Sequence, residues 1–168
     1  MPSPFEVQTD SPAGVDAILA AFGDAGYWND RIAEFGGGAT TLDRLDVDAD
    51  GAVDVATTQD LRNDLLPGPL TKVFRGNLSI VRAETWKRGV ADDVRGVVTI
   101  SASGVPGSGE GHLTLTPQGE GSRLTFTGTV EVKIPLVGGR FEKAICDQIV
   151  AELPQLTRFT SDWIAQNG

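Results

Sequence analysis

The chain has 168 residues, and its 23 Asp and Glu against 14 Lys and Arg give a net charge of −9. This length fits a single domain spanning residues 1–168, and the acidic balance argues against nucleic acid or anionic membranes as partners. One cysteine and one histidine exclude an internal disulfide and a Cys- or His-rich metal site, so we expect no metal and no cofactor. Residues 1–10 lack a basic, apolar leader and no apolar run could span a bilayer, so we expect a cytoplasmic protein.

The chain begins with a predicted strand, because Phe5, Val7 and Thr9 alternate with polar residues. Ser11-Pro12 then predicts the N-terminal cap and first position of a helix. The apolar face of that helix consists of Val15, Ile18, Leu19 and Phe22. A second short helix carries Trp28, Ile32 and Phe35 and stops at Gly36-Gly37-Gly38.

A β-hairpin follows the two helices. Leu45 and Val47 alternate with Asp residues, as do Val53 and Val55. A three-residue loop, Ala49 to Gly51, places Val47 opposite Val53 and Leu45 opposite Val55. A two-residue loop would place Val47 opposite Asp54, so burial of one face favours the first register.

Four more strands are predicted before a C-terminal helix. Their ranges are Leu78–Lys87, Val94–Ser103, His112–Thr116 and Arg123–Ile134. Pairing Leu113 with Phe126 and Leu115 with Leu124 gives one apolar face and turns His112 away from it. The helix after Gly138-Gly139 has an apolar stripe of Phe141, Ile145, Ile149, Leu153, Leu156 and Trp163, whereas Glu142 and Glu152 are expected to face solvent.

This order predicts an α+β, helix-grip fold. A curved antiparallel sheet of about seven strands would wrap around the long C-terminal helix, with two short helices after the first strand. Because the sheet and the helix curve differently, a concave and mostly apolar space is expected between them.

The order of elements resembles that of START-related, Bet v 1-like (helix-grip, SRPBCC) proteins. The resemblance is carried by residues 133–142, KIPLVGGRFE, between the last strand and the long helix, and by Glu84-Thr85-Trp86. It covers nearly the whole chain and is greatest for a bacterial branch whose activity is not established. The resemblance implies an internal cavity for a hydrophobic ligand; members of the superfamily carry lipids or sterols, cyclise polyketides or bind other proteins.

An acidic motif, Asp46-Val47-Asp48-Ala49-Asp50-Gly51, has the spacing of an EF-hand calcium loop. Position twelve of such a loop is a bidentate Glu, but here it is Thr57. The flanking residues alternate with period two, so the two helices of an EF-hand are also missing. We therefore interpret the motif as an acidic β-hairpin.

Arg82 and Glu84 are the main candidates for polar chemistry. They share one face of their strand with Leu78, Ile80 and Trp86. If that face is turned inward, the two charges must pair with each other or with a ligand, and they would form the polar anchor of the cavity. If the strand contains a bulge, both side chains would instead face solvent.

We expect the ligand to contact apolar side chains on the strands, the C-terminal helix and the segment after the hairpin. The candidates are Phe74, Ile80, Trp86, Phe126, Val130, Phe141, Ile145, Ile149 and Leu153. The first hypothesis is a non-catalytic carrier or sensor of a small hydrophobic or lipid-like ligand. The alternatives are a polyketide cyclase or dehydratase, with Glu84 and Arg82 as its catalytic pair, and a protein-interaction module. The latter would use the apolar patch from Leu65 to Phe74 or the acidic hairpin.

Two other reactive side chains are expected to be structural. His112 is predicted on the solvent face of its strand, where it would act on no ligand. Cys146 lies beside Ile145 on the long helix and is predicted to be a buried, inert thiol, because no partner is identifiable. The sequence predicts no oligomeric state.

Overall fold

The computed structural model describes residues 2–36, 39–61, 78–104 and 106–167. The chain starts with strand β1 (Ser3–Ser11) and continues with helices α1 (Val15–Phe22) and α2 (Ala25–Phe35). Six strands follow: β2 (Ala39–Val47), β3 (Val53–Leu61), β4 (Leu78–Arg88), β5 (Val94–Ser103), β6 (Gly107–Gln118) and β7 (Gly121–Val132). Helix α3 (Gly138–Asn167) ends the described chain.

Within the described ranges, these seven strands form one curved antiparallel sheet in the order β1-β7-β6-β5-β4-β3-β2. Strands β1 and β2 lie at opposite edges, so α1 and α2 connect one edge of the sheet to the other. Helix α3 packs most closely on β1 and β7. This arrangement confirms the predicted helix-grip fold.

Two predicted strand registers are confirmed. In the first hairpin, Val47 is opposite Val53 and Leu45 is opposite Val55. Gly51 has the positive φ angle, 84°, that a left-handed loop position requires. In β6 and β7, Leu113 is opposite Phe126 and Leu115 is opposite Leu124. Burial of one face was sufficient to fix these pairings, as expected.

Strand β6 begins earlier than predicted. The strand was predicted to begin at His112, but Gly107 to Gly111 already pair with β7. Glycine is required at Gly111, because an added Cβ would collide with the Phe126 ring. Glycines within a strand can thus mark close approach of other groups rather than a turn.

The start of α1 also differs from the prediction. Ser11 is the last residue of β1, paired with Ser122, and the cap residue of the helix is Gly14. The Ser11 hydroxyl accepts a hydrogen bond from the backbone N–H of Ala13 at 3.1 Å. It therefore stabilises the turn that precedes the helix. Helix α2 does have a side-chain cap, because Asp24 accepts from the N–H of Gly26 at 2.7 Å.

The core is continuous from the sheet to the helices. Aromatic side chains of α1 and α2 fill one end of it: Phe22, Tyr27 and Trp28 are all buried, and Phe22 contacts Trp86 with ring centroids 4.7 Å apart. The Tyr27 hydroxyl shares a hydrogen bond of 2.6 Å with Thr160 on α3. These contacts hold α2 against the long helix. In the described residues, no helix is long and apolar enough to cross a membrane.

Candidate functional site

A cavity of about 520 Å³ lies between the sheet and helix α3. Its sheet side is formed by residues of β2 to β7, and its other walls by α2 and α3. Helix α3 packs most closely on β1 and β7, and the cavity extends from β7 across the neighbouring strands. Apolar walls are provided by Ile32, Phe35, Ile80, Ile100, Val130, Val132, Phe141, Ile145, Ile149 and Leu156.

Five of the predicted ligand-binding residues line this main cavity: Ile80, Val130, Phe141, Ile145 and Ile149. Ile145 is 37% exposed, so the predicted apolar stripe of α3 is only partly covered there. Trp86 and Leu153 border a second cavity, of about 40 Å³, beside the main one. Phe126 lines neither cavity and packs edge-on against Phe5, with ring centroids 4.8 Å apart. Phe74 lies outside the described residues, as does the whole apolar patch from Leu65 to Phe74.

Arg82 and Glu84 face inward and border both cavities. Strand β4 pairs with β3 and β5 in one unbroken register, so the bulge that would turn these charges outward is not present in this strand. Arg82 Nε donates to Glu84 Oε2 at 3.1 Å, and the exposed side-chain fractions are 31% for Arg82 and 4% for Glu84. The pair is a charged group within mostly apolar walls.

The neighbouring cations keep Glu84 ionised. Burial alone would raise the pKa of this carboxyl, but attraction to Arg82 and then to Arg31 more than offsets the effect, so the pKa lies below its usual value. The indole N–H of Trp86 is close enough to contribute to this lowering, although it makes no hydrogen bond of good geometry. Glu84 is therefore an anion at neutral pH.

Arg31 is a residue of the site that the sequence analysis missed. It lies on α2, borders both cavities, and its guanidinium stacks 4.7 Å from the centroid of the Trp28 ring. Arg31 Nη1 donates to the Tyr27 hydroxyl at 3.4 Å. Among the residues that the structure describes, no carboxylate lies within 4.0 Å of Arg31, in contrast to Arg82. A signal was present in the sequence, since Arg31 follows Trp28 by three residues and precedes Phe35 by four, on one helical face.

Two buried polar atoms at the small cavity have no hydrogen-bond partner in the described part of the chain. They are Trp86 Nε1 and Thr157 Oγ1, on residues that are 2% and 8% exposed. Both residues border the cavity of about 40 Å³, together with Arg31, Arg82 and Glu84. Buried polar groups are hydrogen-bonded in nearly all native structures, so these two atoms require an explanation.

Glu142 was predicted to face solvent, and the structure shows that this is wrong. The residue is 2% exposed, and its carboxylate accepts hydrogen bonds from the backbone N–H of Val132 at 2.8 Å and from Ser3 Oγ at 2.7 Å. Both hydrogen bonds lower the pKa of Glu142, and the bond from Val132 has the larger effect. Burial raises the pKa, but by less. Glu142 thus joins the start of α3 to the end of β7 and to β1. Glu152, also predicted to face solvent, is partly buried and lines the main cavity.

The remaining candidate side chains have structural surroundings. Cys146 is buried, as predicted, and burial raises the pKa of its thiol, which disfavours the reactive thiolate. The His112 side chain is 66% exposed on the outer face of β6. In the acidic hairpin, Asp48 Oδ1 accepts from the backbone N–H groups of Asp50 at 2.8 Å and Ala52 at 2.9 Å. The residues with EF-hand-like spacing therefore form a hairpin turn between two strands.

Comparison with known proteins agrees with this architecture. Residues 6–164 match the family described as "Protein of unknown function (DUF2505)". An uncharacterized protein of Mycobacterium tuberculosis H37Rv, Rv0481c, is 34% identical over 175 residues that cover 99% of both chains. The crystal structure of TTHA0849 from Thermus thermophilus has a TM-score of 0.59 and 16% identity, covering 99% of this chain and all of the other. That of Ara h 8.0201 has a TM-score of 0.53 and 11% identity, with the same coverage. The chain belongs to the DUF2505 family, and its fold is that of the Bet v 1-like, helix-grip superfamily.

Proposed function

We propose that the protein binds a small hydrophobic or lipid-like molecule between the sheet and helix α3, as a carrier or sensor. The observation that carries the proposal is the cavity of about 520 Å³. Sites for small molecules typically measure about 300–1,000 Å³ and have apolar walls with a few placed polar groups. The main cavity has mostly apolar walls. Arg31, Arg82 and Glu84 border it where it meets the small cavity, and Glu131 and Glu152 are the other charged residues of its lining.

Gly109 offers a way to fill the cavity. It lines the cavity between Ile100 and Val130, its partners on the neighbouring strands, and these two residues face inward as well. An added Cβ there would make only ordinary contacts, the nearest at 3.5 Å. A leucine at this position should therefore project into the cavity without disturbing the sheet.

The test measures binding of 1-decanol to the purified protein by calorimetry. We expect the wild type to bind, and Gly109→Leu to bind at least about tenfold more weakly, which corresponds to about 1.4 kcal/mol. His112→Leu is the matched control, because it adds an apolar side chain to the outer face of the same strand. Equal affinity in Gly109→Leu and wild type, or no binding by the wild type, would contradict the proposal.

A second candidate function, a cyclase or dehydratase acting on a polyketide-like substrate, is favoured by one observation. The carboxylate of Glu84 lies inside the cavity, as that alternative requires. However, a carboxyl with a lowered pKa is not a proton donor at neutral pH and is a weakened base, so binding is the better-supported function. Incubation of a poly-β-ketone with wild type and Glu84→Gln separates the two. Loss of water from the substrate with the wild type alone would favour the enzyme.

A further inference from the structure

The small cavity has more hydrogen-bond donors than its own residues satisfy. Trp86 Nε1 can only donate, and it lies near the Glu84 carboxylate without making a hydrogen bond of good geometry. The Thr157 hydroxyl can donate or accept and has no partner in the described residues. Arg82 uses Nε for Glu84, and Arg31 makes a single long hydrogen bond, to Tyr27. A buried polar group without a hydrogen bond destabilises the folded state, so the fold keeps these donors at a penalty.

The same cavity also has an excess of positive charge. Its ionisable neighbours are Arg31, Arg82 and Glu84, which sum to +1. Glu84 is already bonded to Arg82. Glu152 lines only the main cavity and attracts Arg31 from there, but within the described residues it forms no ion pair with Arg31. The remaining walls are mostly apolar: Ile18, Phe22, Leu113, Leu115, Leu124, Leu153 and Leu156. A charge in such surroundings is stable only when it is paired, and an anion would complete the set.

We propose that the small cavity receives the carboxylate of an amphipathic ligand whose apolar chain occupies the main cavity. This inference rests on the proposed function. Four residues, Arg31, Arg82, Glu84 and Leu156, border both cavities, so a ligand in the main one meets the small one at this point. A carboxylate has two oxygens that accept in a plane, which suits the forked guanidinium of Arg31, and each oxygen keeps a second lone pair that can accept from Trp86 or Thr157.

The chemical class that follows is a medium- or long-chain monocarboxylic acid. A neutral alcohol would leave the positive charge unpaired. An ordered water is the other way to satisfy the two orphan atoms, since about 40 Å³ exceeds the space of roughly 10–15 Å³ that one water needs. A bound carboxylate and an ordered water in the small cavity have different consequences for the variants described below.

The experiment compares decanoate with 1-decanol by calorimetry on the full chain. Charge-assisted hydrogen bonds contribute about 1.5–3 kcal/mol, so decanoate should bind at least about tenfold tighter than decanol. Arg31→Met should abolish this preference while decanol still binds. Arg158→Met, an exposed arginine on α3, is the control and should retain the preference.

Thr157→Val separates a ligand site from a structural water. The substitution keeps the side-chain shape and removes the orphan hydroxyl, so the empty protein should be as stable as wild type or more stable, whereas decanoate should bind several-fold more weakly. Equal affinity for acid and alcohol would overturn the head-group inference and leave the proposed function standing. A Thr157→Val variant with lower stability and unchanged decanoate affinity would also overturn it, in favour of water. Binding of neither compound would overturn both.

Discussion

At the scale of single residues, the Arg82–Glu84 pair is the least ordinary feature of the molecule. Two charged side chains face a cavity that is otherwise mainly apolar, and only Glu84 is fully buried. A buried pair of this kind contributes little net stability, because the attraction between the charges is offset by their loss of hydration. The presence of the pair is therefore better explained by a role in binding than by a role in folding.

This interpretation predicts the outcome of a double-mutant cycle on the pair. Arg82→Met leaves Glu84 buried with only Arg31 nearby, and should lower the free energy of unfolding by about 3 kcal/mol. The double variant Arg82→Met with Glu84→Leu should recover most of that loss, because no buried carboxylate is then left without its partner. Urea unfolding at neutral pH measures both, with Arg158→Met as the control. Equal stability of Arg82→Met and wild type would show that the pair is not desolvated.

Glu142 leads to a prediction about pH. Its pKa in the folded protein lies below the usual 4.5, so its stabilising effect is complete above that pH and is lost as the pH falls through the lower folded value. Glu84 titrates in the same direction, and its pKa is lowered too. The wild type should therefore lose stability below about pH 4.5.

Glu142→Gln should reduce the slope of this loss. The measurement is the melting temperature from neutral pH down to about pH 3, where folded and unfolded forms both take up protons. The variant should be less stable than wild type at neutral pH, and the two curves should converge in acid. Parallel curves would show that Glu142 is not hydrogen-bonded as described. Glu131→Gln, near the end of β7 and paired with Lys133 in a partly exposed ion pair, is the control.

The partners of Glu142 and Arg31 could not be predicted from the sequence. Helical periodicity could indicate that Arg31 lies on the apolar face of α2, but it could not reveal that no carboxylate in the described part of the chain forms an ion pair with it. The partner of Glu142 is a backbone N–H ten residues away, at the end of β7. Such long-range partners follow from the tertiary structure and have no local sequence pattern.

At the scale of elements, strand registers were predictable wherever one face of the strand is clearly apolar. In the β6–β7 pair, a shift by one residue would expose Leu113 and Leu115, so the sequence permits one register. The first part of β6 was not predictable in this way. Residues 107–111 contain three glycines and no apolar side chain, so alternation gives no signal there.

The glycines of this region are predicted to differ in their tolerance of a side chain. At Gly128, on β7, an added Cβ would collide with the backbone oxygen of Glu110, which cannot move without disturbing the sheet. Gly128→Ala should therefore lower the free energy of unfolding by about 1–3 kcal/mol. At Gly109 a Cβ meets only ordinary contacts, so Gly109→Ala should be neutral or more stable by up to about 1 kcal/mol.

Urea unfolding of the two variants provides the comparison. Because both variants replace glycine with alanine, their unfolded-state contributions largely cancel. The two substitutions, on neighbouring strands, should therefore have opposite or clearly different effects on stability. If Gly109→Ala were as destabilising as Gly128→Ala, the inner face of β6 would be packed rather than open. That result would count against the main cavity.

At the scale of the whole molecule, the position of α3 determines the site. The helix packs closely on β1 and β7, at one edge of the sheet, and the cavity lies over the central strands with α2 as a further wall. The sequence predicted the fold and the existence of such a space, because the sheet is curved and the helix has an apolar stripe. It could not predict the volume or the wall contributed by α2, since both depend on the angle at which the helices pack.

Ligand binding requires that the space between β4–β7 and α3 be filled by a ligand rather than by the protein's own side chains. A crystal structure of the protein with decanoate is the most direct test. We expect continuous electron density in the cavity, with the carboxylate beside Arg31, Trp86 and Thr157. Side chains such as Ile80, Val130 and Ile149 closing together to fill the space, with no room for a ligand, would contradict it.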